Sequence, residues 1–216
     1  MNAIDVLRRI HASTPRNTPG IRAVRREISK ELKGQPGPAV IALAQELVRS
    51  GDSNGRWVGY ELVQHHPEAM KRITGADVER LAEGLADWGG VDSFGCFISG
   101  PAWREARIDD ARVHRWARSK DRWKRRAALV STVPLNVPAR GGHGDPERTL
   151  SVCELLLDDR DDMVVKALSW ALRALAAQDP DSVAEFMETH EGRLPARVKR
   201  EVAKRLGRAK EAGRRR

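Results

Sequence analysis

Four of the six tryptophans in this 216-residue chain fall between Trp88 and Arg126, beside a dense run of arginines. The segment opens Trp88-Gly-Gly-Val-Asp92-Ser93. It continues through Trp116-Ala-Arg-Ser119-Lys-Asp-Arg122-Trp123-Lys-Arg125-Arg126. Tryptophan outnumbers the single Tyr and three Phe. Buried helix interfaces prefer Leu, Ile and Phe, so this skew points to indole faces and N–H groups put to use. A lone carboxylate near an aromatic face and opposite a cation could stabilise developing positive charge. Guanidinium groups around those faces point to a polyanion, with DNA the leading candidate.

Each constellation also has a purely structural explanation. Gly89-Gly90 reads as a break, so Trp88 is expected to end one helix and Asp92 to begin the next. On the structural explanation Asp92 or Ser93 is an N-cap and Trp88 a core plug. The stretch 112–126 holds eight Lys and Arg against one Asp. It is either a solvated helix face or a phosphate and sugar contact surface. Trp116, Ser119 and Trp123 recur at helical steps, but a loop near Lys120-Asp121 interrupts any single helix. Lys166-Ala-Leu-Ser-Trp170-Ala-Leu-Arg173 sits in an apolar helix, where Trp170 is either core or functional.

Composition narrows the partners. Lys and Arg number 39 against 30 Asp and Glu, giving a net charge of +9. Such a balance suits an anionic partner, because each neutralised phosphate releases counterions. Cys96 and Cys153 lie far apart without metal-ligand spacing, so reduced buried thiols are expected. The six histidines show no metal spacing, and GxGxxG, GxxxxGK[ST] and GxSxG motifs are absent. The N-terminal MNAIDVLRRI has no signal-peptide core, and no apolar run approaches the ~18 residues of a membrane span. A cytoplasmic protein, nucleoid-associated through DNA binding, is the expectation.

The elements that must position these residues read as helices almost throughout. Helices are expected at 38–50, 54–66, from Thr74 as N-cap to about Trp88, and at 91–99, 109–118 and 121–133. Others follow at 146–157, 161–177, 181–190 and 195–207. Pro134–Pro146 reads as a loop, and residues 208–216 as a flexible basic tail. The fold expected over 1–207 is one all-α domain: a curved solenoid of antiparallel HEAT-like helix pairs with a concave basic groove.

Three pieces in series resemble the AlkD-type DNA glycosylases of the DNA alkylation repair superfamily. They are Trp88-x-x-Val-Asp92-Ser93, Trp116-x-x-Ser119-x-x-x-Trp123-x-x-Arg126-x-Ala128, and Lys166-Ala-x-x-Trp170-x-Leu-Arg173. Their order and spacing agree over about 20–207. The resemblance implies that Trp88, Asp92 and Trp170 are the catalytic trio and that Arg126 grips the DNA backbone. Arg122, Arg125 and Lys166 are further DNA-binding candidates. The implied reaction is hydrolysis of the N-glycosidic bond of cationic N3- or N7-alkylated purines in duplex DNA. It is monofunctional, proceeds without base flipping, and needs no metal or organic cofactor. The implied partner is double-stranded DNA containing alkylated purines, with no membrane or obligate protein partner, engaged by a monomer. The alternative is a non-catalytic HEAT-like binder of distorted or branched DNA. A protein–protein scaffold is the third reading, and the basic run counts against it.

Overall fold

Asx side chains start most of the helices. Asn2, Asn17, Asp52, Asp87, Asp109, Asp121, Asp145, Asp161 and Asp179 each accept a backbone N–H from the first turn that follows. Thr74 and Asp77 cap one another reciprocally. Each such cap satisfies a donor that the helix itself cannot, at about 1 kcal/mol. The computed structural model describes residues 1–15 and 17–213, with side chains for all of these except 209–213. Among the described residues the secondary structure is entirely helical.

The chain divides into two compact units, Met1–Ile108 and Asp109–Arg216, over a stretch that the sequence reading treats as one domain. In the first, α1 (Ala3–His11) and α2 (Thr18–Leu32) precede α3 (Gly37–Arg49) and α4 (Ser53–His65). Short helices α5 (Ala69–Arg72) and α6 (Gly75–Leu81) lead to α7 (Trp88–Phe94). A π turn (Gly95–Ser99) then joins α7 to α8 (Gly100–Arg104). Pro101 has no N–H to donate back along this helix, so the wider turn falls where an α-helical ladder would lose a bond. Helix α4 is central, packing on α2, α3 and α7. Leu47, Tyr60, Leu62, Leu81, Phe94 and Trp103 are fully buried.

The second unit holds α9 (Asp110–Ala117), α10 (Arg122–Asn136), α11 (Pro146–Leu155), α12 (Asp162–Leu175), α13 (Pro180–Thr189) and α14 (Ala196–Gly213). Helix α10 packs on α9, α11 and α12, and α12 packs on α14. Every residue of α10 from Arg126 to Asn136 is buried. Apolar burial of this kind contributes roughly 1.5–3 kcal/mol per large side chain.

Several boundaries differ from the sequence expectation. The helix capped by Thr74 ends at Leu81, not near Trp88, because Gly84 follows with a left-handed φ of +65°. Helix α10 runs through Pro134 to Asn136, where a loop was the expectation. Asn136 ties that end down: its Nδ2 donates to Thr132 O and Thr149 Oγ1, and its Oδ1 accepts from Asp145 N. The loop closes tightly there, for a Cβ on Gly142 would lie 2.3 Å from the Pro134 carbonyl oxygen. Helix α14 continues to Gly213, into the stretch expected as a flexible tail, and 214–216 lie outside the described residues.

Candidate active site

Asp87 organises the first-unit site. Its carboxylate accepts the Gly90 N–H at 2.9 Å and makes Trp88 the first residue of α7. The Gly89-Gly90 pair therefore lies inside the first turn and does not break the helix. Trp88 and Asp92, four residues apart, share one helix face. Both structural explanations fail. The N-cap is Asp87, not Asp92 or Ser93, and the Trp88 indole is 62% exposed where a core plug would be buried. Asp92, half-buried, stands one turn behind it.

The glycine pair fronts an open cavity of about 540 Å³. Trp88, Gly89, Gly90 and Ser93 line it from α7, facing Arg56 and Trp57 of α4. Arg56 Nη1 donates to the Tyr60 hydroxyl at 3.0 Å, which itself donates to the Leu81 carbonyl at 2.6 Å. Burial pushes the Tyr60 phenol up to about 12, against the opposing pull of Arg56, so it stays a neutral donor. Arg22 stacks over the Trp57 ring at 5.2 Å and shares the buried Glu61 with Arg25, at 3.2 and 2.9 Å. Sequence reading missed Arg56 and Trp57, although they repeat the Arg-Trp pairing of Arg122-Trp123.

In the second unit the remaining candidates separate. Trp116 is 5% exposed and packs in the core, and Trp123 is half-buried under the Arg122 guanidinium at 4.8 Å. As expected, the Ser119–Asp121 link keeps the two on different helices. Arg126 is only 6% exposed, with Nη1 on the Met163 carbonyl at 2.5 Å. Arg125 pairs with Asp159 at 2.6 Å and holds the Ser119 and Lys120 carbonyls. Arg122 and Lys166 face Asp161 and Asp162 at 3.5 and 2.5 Å. The hydrogen bond from Lys166 holds the Asp162 carboxyl below its usual range. These cations are thus engaged by the acidic stretch 158–162, a neutralisation that sequence reading had overlooked.

Trp170 is half-buried on α12 and lines a groove of about 580 Å³ with Arg173, Glu201, Lys204, Arg205 and Arg208. Cys96 and Cys153 are buried free thiols, the latter raised far above its ordinary value by burial. Among the described residues no group of three or more His, Cys, Asp or Glu is placed to hold a metal ion, and no helix is long and apolar enough to cross a membrane.

These features define an all-helical protein that presents indole, carboxylate and guanidinium groups at its surface. The chain belongs to the DNA alkylation repair enzyme family, whose sequence profile matches residues 16–206. A solved structure titled a predicted DNA alkylation repair enzyme from Enterococcus faecalis is similar in fold. Its TM-score is 0.67 at 17% identity, over 87% of this chain and 85% of that one. No curated protein sequence matches significantly.

Proposed function

We propose that the protein is a DNA glycosylase that hydrolyses the N-glycosidic bond of cationic N3- and N7-alkylated purines in duplex DNA. The observation that carries the reading is the exposed Trp88 indole with Asp92 one turn behind it on the same face of α7. A folded chain gains little from an exposed tryptophan, and an adjoining carboxylate gives that indole a chemical partner.

The substrate base already carries positive charge, so it leaves with little acid catalysis. As the glycosidic bond lengthens, charge moves to the deoxyribose and the transition state becomes oxocarbenium-like. Asp92 stabilises that charge as an anion and orients the attacking water. The Trp88 face holds the cationic sugar through cation–π attraction, about 0.5–2 kcal/mol per contact. The family resemblance implies roles for Trp170 and Arg126 as well, both residues of the second unit. Hydrolysis releases the base and leaves an abasic sugar, without strand cleavage, base flipping or a cofactor. A monomer in the cytoplasm acting on chromosomal DNA suffices for this chemistry.

The test is release of 7-methylguanine or 3-methyladenine from methylated duplex. Release by the wild-type protein supports the reading. Tight binding with every alkylated base left in place overturns it and leaves a non-catalytic binder.

A further inference from the structure

Two side-chain stripes face one another across α12 and α14. Trp170, Arg173 and Ala174 of α12, with Ala177 in the turn that follows, form one, and Glu201, Lys204, Arg205 and Arg208 the other. Both follow the i, i+3, i+4, i+7 pattern that marks one helix face. Together they line the groove of about 580 Å³, with Asn136, Val137 and Pro138 closing part of its wall. Ala174 and Ala177 keep the α12 side shallow in bulk, so the space between the stripes stays open.

Among the described residues the lining carries four cations and one carboxylate. That carboxylate is already engaged: Glu201 accepts from Ser169 Oγ at 2.6 Å and Arg197 Nε at 2.9 Å, with Arg173 at 3.8 Å. Lys204 and Arg208 are exposed, and they stand one turn apart, about 6 Å along the helix axis. A polyanion whose charges repeat at a similar step, with sugars between them to meet an indole, matches this surface.

We propose that the α12–α14 groove binds the phosphodiester backbone of duplex DNA, with Lys204, Arg205 and Arg208 on phosphates and Trp170 against a neighbouring sugar. The proposal rests on DNA being the substrate. It moves the main electrostatic grip away from Arg122, Arg125 and Lys166, whose charges face acids of their own chain. Arg-rich composition drew attention to the run 112–126, but free cationic surface is what releases counterions.

The experiment measures affinity of the full chain for unmodified duplex across about 50–200 mM salt. Lys204→Ala/Arg205→Ala/Arg208→Ala is expected to reduce the slope of log affinity against log salt by about 2–3 and to weaken binding at least ~10-fold. Lys199→Ala, on another side of α14, is expected to change the slope by less than about 1. If the alanine variant does not fold, Lys204→Gln/Arg208→Gln carries the same test with a slope loss of about 1.5–2. An unchanged slope, or one changed no more than by Lys199→Ala, overturns the proposal. Because the probe is unmodified, the result does not depend on base release. A reduced slope with no released base keeps the groove and removes the glycosylase reading.

Discussion

Trp88 and Trp103 are the same residue type fifteen positions apart, and they have opposite fates. Trp103 is fully buried, whereas Trp88 is 62% exposed. Trp103→Ala leaves a large cavity and is expected to cost about 3–5 kcal/mol, read as a fall in Tm. Trp88→Ala should change stability by no more than about 0.5 kcal/mol. Base release should nonetheless fall roughly 2- to 30-fold, the equivalent of one cation–π contact of 0.5–2 kcal/mol. A Trp88→Ala protein that loses stability but keeps its rate would show the indole to be structural. Residue type alone does not tell the two tryptophans apart in the sequence. Only packing separates them, because neither sits in a periodic pattern long enough to define its face.

Element boundaries were legible wherever local chemistry marks them. Apolar periodicity, with Thr74 as a cap, placed most helices from 38 onward to within a few residues. Two features hid the geometry of the candidate site. Gly84, not Gly89-Gly90, ends the preceding helix, and Asp87 caps the next by accepting the Gly90 N–H. Asp87→Ala is therefore expected to cost about 1 kcal/mol and to loosen the turn that presents Trp88. Faster amide exchange at Gly90 would register it, and unchanged exchange would deny Asp87 that role.

The α12–α14 contact makes a separate prediction. The Ser169 hydrogen bond, then Arg197 and Arg173, holds the Glu201 carboxyl below its ordinary 4.5. A carboxyl with a lowered folded pKa binds fewer protons folded than unfolded, so its stabilisation is present above about pH 4.5 and drains as pH falls through the folded value. The Tm difference between wild type and Glu201→Gln should be widest near neutral pH and close on acidification. A pH-independent difference would contradict this linkage.

At the scale of the molecule, the all-helical fold followed from composition and periodicity, whereas the distribution of charge did not. A net charge of +9 says that cations are in excess. It does not say which of them meet an acid. Asp159 and Asp161, more than thirty positions away in sequence, engage Arg125 and Arg122, whereas Lys166 meets Asp162 one turn back on its own helix. Long-range pairing of this kind has no periodic signature. By contrast, the α14 stripe at 201, 204, 205 and 208 was present in the spacing, but Arg208 fell where a tail was expected and only the first three lay in the helix expected at 195–207.

The central claim is that Asp92 performs the chemistry that Trp88 frames. Release of 7-methylguanine from methylated duplex, at saturating protein, tests it most directly when wild type and Asp92→Asn are compared. Loss of one preorganised electrostatic group typically costs 10²–10³ in rate, so the variant is expected to bind duplex normally and release base at least ~100-fold more slowly. An Asp92→Asn protein that releases base at the wild-type rate would contradict the account.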